Sequence, residues 1–281
     1  MREIEDPRAL LARLGLRAKK SWSQNFLVDE RVHQAIVAAT VRADDDWVVE
    51  IGAGLGTLTA RLAAAVPRGR VVAVEREADM LAVLAEQLAG VENVEVVAAD
   101  ALTFELAPVA ARAARPLTVA GNLPYGIASP LIFRLLAARR HVSRIVIMLQ
   151  KEVADRLLAA PGTREYGALG VMVASLASVR RVARAPAGAF HPRPKVDSTV
   201  VELTPGSVPV TIDDEEVFSQ TVHAAFEQRR KTLRNALSAR FAAERVVAAL
   251  EHTGIDGGRR GETLSLGEFA ALAAALGAPG A

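Results

Sequence analysis

The sequence contains no cysteine, which excludes disulfides, cysteine zinc sites and thiol nucleophiles and makes a reducing cytoplasm the simplest compartment. Aromatic residues make up only 4% of its 281 residues, and five lysines stand against 29 arginines. No apolar run reaches the roughly 18 residues of a membrane span, and the charged start lacks the apolar core of a signal peptide. We therefore expect neither a membrane segment nor a secretory leader.

The composition that remains is typical of a globular chain. Hydrophobic residues account for 51% and charged residues for 23%, which is too apolar for a disordered protein. The net charge is only +2, so any strong attraction to a polyanion must come from clustered basic residues. The planar fork of arginine suits phosphate contacts and stacking, although a codon bias would give the same excess. The placement of the arginines is therefore more informative than their number.

Short apolar runs alternate with longer amphipathic ones over residues 47–149, which is typical of a parallel α/β sheet with right-handed crossovers. Runs such as WVVEI and RIVIML are apolar at consecutive positions, as expected of strands covered on both faces. The later segment STVVELTP predicts an antiparallel strand at the edge of the sheet. Beyond residues 205–209 only helical periodicity remains. We predict an N-terminal segment over 1–46 packed on an α/β domain over 47–206, and a small α-helical domain over 207–281.

Three alternating glycines, Gly52, Gly54 and Gly56, follow the first strand of this region. Glycine permits a tight turn and lets a nucleoside approach the backbone, while the helix predicted near Thr57 offers unpaired amides. The dinucleotide-binding fingerprint is incomplete, because Thr57 stands where it needs its third glycine. A structural turn is the alternative, but the flanking strand and helix favour a ligand-binding loop.

Acidic residues stand at the ends of three successive predicted strands, at Glu50, Glu75 and Asp100. The carboxyl ends of parallel strands share one edge of an open sheet, where such sheets bind ligands. Glu75 is placed to accept both hydroxyls of a ribose, and Asp100 to accept from an adenine amino group. A nicotinamide dinucleotide would give the same ribose signal, and each acid taken alone is more often a solvated side chain. Together the three acids predict a nucleoside pocket.

The fourth predicted strand ends in Asn122, Leu123, Pro124 and Tyr125. An amide oxygen beside a proline-fixed backbone, whose carbonyls face outward, can accept both protons of an exocyclic amine. Tyr125 offers a flat face on which the base carrying that amine can stack. A plain turn is the alternative for this short motif, but a hydride-transfer enzyme would need none of these groups. After the glycine loop, the motif favours chemistry at an amine.

Four blocks occur in order over most of the chain: SQNFL at 23–27, EIGAGLGTLT at 50–59, NLPY at 122–125 and FHPRPKVDS at 190–198. This combination resembles the ribosomal RNA adenine N6-dimethyltransferase family of the class I S-adenosylmethionine-dependent methyltransferases. The resemblance implies a class I methyltransferase, Rossmann-like α/β fold with S-adenosyl-L-methionine as cofactor. Together with the pocket inferred above, it predicts cofactor binding by Gln24, Asn25, Leu27, Glu50, Gly52, Gly54, Glu75, Asp100, Ala101 and Asn122.

The resemblance also implies methyl transfer to the N6 atom of adenine. This in-line displacement depends mostly on positioning and needs no general base. Asn122 and the carbonyls of Leu123 and Pro124 are expected to hold the target N6, while Tyr125 and Phe190 sandwich the adenine. Packing against its own proline-rich loop is the alternative role for Phe190.

A target adenine leaves its stack at least cost in an RNA loop. Two basic clusters also favour RNA as the substrate, because basic side chains can contact its phosphates. One cluster lies in a segment free of acids and the other in one predicted helix of the small domain. Their members are Arg180, Arg181, Arg184, Arg193 and Lys195, and Arg229, Arg230, Lys231 and Arg234. A solvated face is the alternative for each cluster. The five histidines show no ligand spacing, so we predict no metal site.

Residues 226–237 (FEQRRKTLRNAL) resemble the small-subunit branch of the family. A related mitochondrial transcription factor is disfavoured, because the chain shows no targeting sequence. The favoured hypothesis is N6,N6-dimethylation of two adjacent adenosines in the 3′-terminal hairpin loop of small-subunit (16S) ribosomal RNA. The expected partner is that RNA within an immature, cytoplasmic small subunit, and the expected acting form is a monomer. The alternatives are a large-subunit methyltransferase conferring antibiotic resistance, a ribosome-assembly factor that binds RNA, and a nicotinamide oxidoreductase.

Overall fold

The fold is described from a computed structural model, for residues 5–15, 25–123, 125–228 and 230–278, with Tyr125 described by its backbone alone. This part of the chain contains strands β1 (Phe26–Leu27), β2 (Trp47–Ile51), β3 (Arg70–Glu75), β4 (Val94–Ala98), β5 (Leu117–Asn122), β6 (Val142–Gln150), β7 (Ala177–Ala185), β8 (Phe190–His191) and β9 (Ser198–Pro205). Its helices are α1 (Pro7–Leu14), α2 (Glu30–Thr40), α3 (Thr57–Ala65), α4 (Ala78–Gln87), α5 (Leu106–Ala113), α6 (Ala128–Ala137), α7 (Lys151–Leu158), α8 (Ala168–Ala174), α9 (Glu215–Glu227), α10 (Leu233–Leu237), α11 (Ala243–Thr253) and α12 (Leu266–Gly277).

Seven strands form one mixed sheet in the order β4-β3-β2-β5-β6-β9-β7. The strands from β4 to β6 pair in parallel, whereas β9 pairs antiparallel with β6. The predicted mostly parallel sheet with an antiparallel edge is therefore confirmed, with β9 antiparallel to β6 and β7 beyond it. The order reverses between β2 and β5, because β3 and β4 lie on one side of β2 and β5 and β6 on the other. In open α/β sheets such a reversal opens a crevice at the carboxyl ends of the strands.

The central strands are apolar at consecutive positions because helices shield both faces of a parallel sheet from water. In β2, β3 and β6 long runs of side chains are buried. Val48 and Val146 belong to one core cluster with Ile36 of α2 and Leu62 of α3. The sequence pattern thus reports burial directly, and α2 and α3 contribute to the cover over this part of the sheet.

Close packing of β2 against β5 leaves no room for a side chain at Gly121. A Cβ atom built on Gly121 would lie 2.5 Å from the carbonyl oxygen of Ile51. Real Cβ atoms do not approach a backbone oxygen this closely, so the two strands would have to separate. Glycine at this position therefore permits the close approach of β2 and β5.

The N-terminal segment is attached to the sheet domain by two small elements. β1 pairs antiparallel with β8, with Leu27 opposite Phe190. Helix α1 buries Leu10 and Leu11 against Leu55, Met80 and Val83. Asp29 caps the N-terminus of helix α2, and its side chain accepts hydrogen bonds from the amides of residues 31 and 32. These contacts place β1 and α2 beside the glycine loop.

The chain divides into two compact units, one comprising Met1–Ala154 with Val179–Pro205 and the other Asp155–Ser178 with Gly206–Ala281. The second unit differs from the predicted domain over 207–281, because it also includes residues 155–178. The reason is packing: Tyr166 and Val171 are buried in the core of the helical unit. The hydroxyl of Tyr166 donates a hydrogen bond to the carbonyl of Leu264 at 2.8 Å, and burial raises the pKa of Tyr166 to about 12.

The helical unit is built from α8 to α12 around a shared apolar core that includes Phe218 and Phe269. Helix α12 begins with a capping box, in which Ser265 accepts from the amide of Glu268 and the Glu268 side chain accepts from the Ser265 amide. Within the described ranges of both units, no helix is long and apolar enough to cross a membrane.

The close approach at Gly121 gives a test of the sheet. Gly121→Ala is expected to lower the free energy of unfolding by about 1–3 kcal/mol or more, because the added methyl group overpacks the β2–β5 contact. Urea unfolding followed by circular dichroism measures the change. Gly126→Ala is the matched control, since nothing lies within 4 Å of a Cβ atom at Gly126. Equal stability of the two variants would contradict the proposed packing constraint.

Candidate active site at the carboxyl edge of the sheet

A cavity opens at the carboxyl ends of β2, β3, β4 and β5, where the strand order reverses. It lies within the sheet-containing unit. Nine of the ten residues predicted to bind cofactor line it, namely Asn25, Leu27, Glu50, Gly52, Gly54, Glu75, Asp100, Ala101 and Asn122. Gln24 lies outside the described residues. Leu123, predicted to hold the substrate amine through its carbonyl, also lines the cavity.

The glycine loop forms one wall of this cavity. Gly52 and Gly54 have φ values of +73° and +54°, a region that L side chains rarely adopt. A Cβ atom on Gly54 would meet the ring of Phe26 at 3.4 Å, so β1 closes over the loop. The loop leads into α3 at Thr57, as predicted from the sequence. Backbone amides and a helix N-terminus are thus presented to one side of the cavity.

The carboxylate of Glu75 joins this loop to the end of β3. One oxygen accepts from the amide of Gly54 at 3.0 Å, and the other accepts from the amides of Arg76 and Glu77 at 2.8 and 3.0 Å. Glu75 is only 9% exposed. A carboxylate oxygen has further lone-pair sites, so this side chain can accept additional hydrogen bonds from a ligand hydroxyl.

Glu50 at the end of β2 is the most deeply buried acid of the cavity. It is 2% exposed, and its Oε2 atom has no hydrogen-bond partner among the described residues. Burial raises the pKa of Glu50 to about 8; the Thr59 hydroxyl opposes this shift, and the negative charge of Glu75 adds to it. A buried, unpaired acceptor is costly, so the site favours a ligand that brings a positively charged donor.

Asp100 lies beyond the end of β4, at the margin of the cavity. Its Oδ1 atom accepts from the amide of Leu102 at 2.8 Å, and its Oδ2 atom accepts from the guanidinium of Arg76 at 2.7 Å. These two hydrogen bonds lower the pKa of Asp100 below its usual value. Arg76 also lines the cavity, and sequence reasoning did not identify it. The position of Arg76 directly after Glu75 is the sequence feature that could have identified it as a cavity residue.

Asn122 ends β5 and is oriented by the N-terminal segment. Its Nδ2 atom donates to the backbone carbonyl of Asn25 at 3.0 Å. The carboxamide oxygen is therefore the atom of this side chain that can accept from an amine. Leu123 follows at 1% exposure, and its amide donates to the carbonyl of Met148. Pro124 and the side chain of Tyr125 lie outside the described structure, so their predicted roles stay predictions.

Phe190 differs from its expected place in a proline-rich loop. It lies in β8 opposite Leu27 of β1 and is 3% exposed within the core cluster that contains Val200. The side chain packs as an apolar core residue in this structure, and it is not among the residues that line the cavity. Stacking of Phe190 on a base therefore stays a prediction and requires the ring to leave this packing.

The first basic cluster is exposed but is not uniform. Arg180 of β7 donates to Glu202 of β9, a carboxylate that is 6% exposed. Arg42 and Arg144 approach the same carboxylate at 3.7 and 3.8 Å. Burial and the neighbouring Arg42 lower the pKa of Arg144. Arg180 thus has a structural partner. The remaining exposed members of this cluster are Arg181, Arg184, Arg193 and Lys195.

The second basic cluster does not lie in one helix as predicted. Helix α9 ends at Glu227 and α10 begins at Leu233. The amide of Lys231 donates to the carbonyl of Gln228, which forms a turn between the helices. Arg230, Lys231 and Arg234 are exposed, whereas Arg229 lies outside the described residues. The sequence of this segment has helical periodicity throughout, so the periodicity did not predict the turn between α9 and α10.

Among the described residues, no group of three or more histidines, aspartates or glutamates is arranged to hold a metal ion. The spacing of the histidines predicts no metal site and does not single out His33 of α2, yet this residue lines the cavity at 2% exposure. Neither of its ring nitrogens has a hydrogen-bond partner within the described ranges. The sequence gives no signal for this position, because most of the residues that line the cavity with His33 come from other elements.

The raised pKa of Glu50 predicts a pH-dependent stability. The unfolded chain releases this proton near the ordinary value of 4.5 and the folded chain near 8, so stability falls as the pH rises between these values. Glu50→Gln removes this effect and is expected to exceed the parent in free energy of unfolding by about 2–4 kcal/mol at pH 8, and to match it near pH 4. Urea unfolding of the ligand-free chain across this range measures the difference.

Glu92→Gln is the control for this prediction, because Glu92 is exposed and its replacement is expected to change stability by less than about 0.5 kcal/mol at either pH. Parallel pH profiles for the parent and Glu50→Gln would contradict the raised pKa.

The sequence matches the model of the ribosomal RNA adenine dimethylase family over residues 15–277. Similar proteins include the ribosomal RNA small subunit methyltransferase A of Myxococcus xanthus (strain DK1622), which is 48% identical over 98% of this chain and 96% of that protein. The protein of the same name from Geobacillus thermodenitrificans (strain NG80-2) is 42% identical over 95% of this chain and 94% of that protein.

Two solved structures are similar over most of the chain. A dimethyladenosine transferase from Plasmodium falciparum has a TM-score of 0.74 and 27% identity, covering 88% of this chain and 95% of that one. The 23S rRNA methyltransferase ErmE has a TM-score of 0.70 and 29% identity, covering 90% and 99%. These matches confirm the predicted class I methyltransferase fold and an rRNA adenine dimethyltransferase as the class of enzyme. With a family model that covers nearly all of its length, this chain belongs to the ribosomal RNA adenine dimethylase family.

Proposed function

We propose that this enzyme uses S-adenosyl-L-methionine to dimethylate the N6 atoms of two adjacent adenosines in the 3′-terminal hairpin loop of small-subunit ribosomal RNA. The observation that carries the proposal is the cavity, in which acids from three strand ends and Asn122 surround one space beside the glycine loop. Relatives named for the small subunit are 42–48% identical over nearly the whole chain, including the helical unit. ErmE, named for 23S rRNA, is 29% identical.

The residues of the cavity fit this cofactor. Glu50 supplies a buried oxygen, Oε2, that has no hydrogen-bond partner among the described residues and suits the α-ammonium group of a methionine moiety. Glu75 has oxygens that can accept from ribose hydroxyls, and Asp100 can accept from an adenine amino group if Arg76 shares its carboxylate. When bound, the cofactor supplies an electrophilic methyl group on a sulfonium, whose sulfur is a good leaving group.

The side chains then have mainly to position the target amine. The Oδ1 atom of Asn122, held by donation of Nδ2 to Asn25, accepts one N6 proton, and a backbone carbonyl of Leu123 or Pro124 accepts the other. This localises the nitrogen lone pair on the side from which the methyl group is attacked. Tyr125 offers a stacking face for the adenine. The nitrogen forms a bond to the methyl carbon as the carbon–sulfur bond breaks, and its extra proton passes to water.

RNA is held, in this proposal, by exposed basic residues on each of the two units. In the sheet-containing unit these are Arg181, Arg184, Arg193 and Lys195, and in the helical unit Arg230, Lys231 and Arg234. Such residues bind phosphates without reading the sequence, so the choice of adenine falls to the cavity. We propose an immature small subunit as the partner, a cytoplasmic location and a monomer as the acting form, with a role in small-subunit biogenesis.

The proposed reaction is tested with radiolabelled methyl donor and purified unmethylated small subunits, with large-subunit RNA in parallel. We expect dimethyladenosine in the small-subunit RNA alone. Asn122→Ala is expected to slow transfer by about 100-fold, because the amine is no longer oriented. Gln34→Ala, which removes an exposed amide from α2, is the control and is expected to retain the parental rate.

Other outcomes of this experiment would contradict the proposal in different ways. Label in large-subunit RNA would assign the enzyme to a 23S-modifying activity of the kind that the name of ErmE describes. Absence of label together with retained binding to small subunits would indicate an assembly factor. Equal rates for the parent and Asn122→Ala would reject the role of Asn122.

The RNA-binding surface is tested by the salt dependence of small-subunit binding. Replacing Arg184, Arg193 and Lys195 with alanine is expected to lower the slope of log Kd against log salt concentration by about 0.7 for each phosphate that is no longer neutralised. Arg180→Ala is the contrast, because Arg180 is bound to Glu202; we expect reduced stability with little change in slope. A greater decrease of the slope in Arg180→Ala than in the triple variant would reverse this assignment.

A further inference from the structure

His33 is a buried imidazole that faces the cavity. It is the fourth residue of α2, is 2% exposed and lines the cavity together with Ile36 of the same helix and Glu50. Neither Nδ1 nor Nε2 has a hydrogen-bond partner in the part of the chain that the structure describes. Buried polar groups in folded proteins are nearly always hydrogen-bonded, so an imidazole in this state calls for a ligand.

The charge state of His33 limits what that ligand can be. Burial lowers the pKa of His33 to about 4, an effect to which Arg61 adds and which Glu30 and Asp29 oppose. The ring is therefore neutral at physiological pH and has one N–H donor and one nitrogen acceptor. A neutral imidazole can hydrogen-bond a carboxylate or an ammonium group without placing a further charge in the cavity.

The order of the strands shows which part of a ligand can reach His33. Asp100 follows β4 and Glu75 ends β3, on one side of the glycine loop. Helix α2, which carries His33, packs against β5, β6 and α3, on the other side. A nucleoside with its base near Asp100 and its ribose at Glu75 therefore extends its 5′ substituent toward His33 and Glu50. Apolar side chains of Leu27, Ile36 and Leu58 surround this end of the cavity.

We propose that His33 hydrogen-bonds the amino-acid end of the methyl donor, beside Glu50. An apolar lining alone would exclude this end, which carries an ammonium and a carboxylate group. Glu50 and His33 supply a buried acceptor and a neutral donor there. His33 is thus a positioning residue, because fixing the amino-acid end fixes the direction of the sulfonium relative to Asn122. The inference rests on the proposed cofactor.

The test compares two ligands that differ only in this end. S-adenosylhomocysteine carries the amino-acid group, and methylthioadenosine lacks it. In calorimetric titrations we expect His33→Leu to weaken S-adenosylhomocysteine binding by about tenfold, the effect of one hydrogen bond to a charged group, and to leave methylthioadenosine binding unchanged. His33→Gln, which keeps a donor and an acceptor, is expected to retain most of the parental preference for S-adenosylhomocysteine.

Thr40→Val is the matched control, because Thr40 is a buried polar residue of the same helix that is not among the residues lining the cavity, and its hydroxyl donates to the backbone carbonyl of Ile36. It is expected to bind both ligands like the parent. Equal losses for both ligands in His33→Leu, or no loss for either, would overturn the role of His33. Failure of the parent itself to bind S-adenosylhomocysteine would instead reject the proposed cofactor.

Discussion

The carboxylate of Glu75 is the contact on which the shape of the site depends. A single side chain accepts from the amides of Gly54, Arg76 and Glu77 and so connects the loop after β2 to the end of β3. The carbonyl of Val74 accepts from the amide of Gly52 beside it. Together these hydrogen bonds hold a loop of left-handed residues against the sheet. Any ligand hydroxyl that reaches Glu75 thus binds a carboxylate that backbone amides already hold in place.

The position of the site could be predicted because strand ends in a parallel sheet are aligned. An acid at the end of any one strand reaches the common edge. Glu50, Glu75 and Asp100 could therefore each be predicted from the sequence of its own strand. The contact between Arg76 and Asp100 joins residues 24 positions apart, and that between Arg180 and Glu202 joins residues 22 apart. No local pattern reports such pairs, because side-chain partners depend on the register between strands.

Burial explains the other differences between sequence and structure. Phe190 stands among prolines, which predicts a loop residue, yet it pairs with β1 and its side chain is buried in the core of the sheet-containing unit. His33 lies on an amphipathic helix whose periodicity cannot show that the cavity it faces also contains the buried carboxyl group of Glu50. Residues 155–178 precede the boundary predicted at 205–209, but the ring of Tyr166 contacts that of Phe226 in the core of the helical unit. The core in which a residue is buried therefore assigns it to a domain more reliably than the composition of its segment does.

The path of the chain between the two units has an evolutionary consequence. The backbone leaves the sheet-containing unit after residue 154, returns at 179 and leaves again after 205, so each unit is assembled from two separate segments. Recombination that exchanged only the C-terminal segment would separate Tyr166 and Val171 from the helices that bury them. An exchange of the whole helical unit therefore has to include both segments, because its core is built from residues of each.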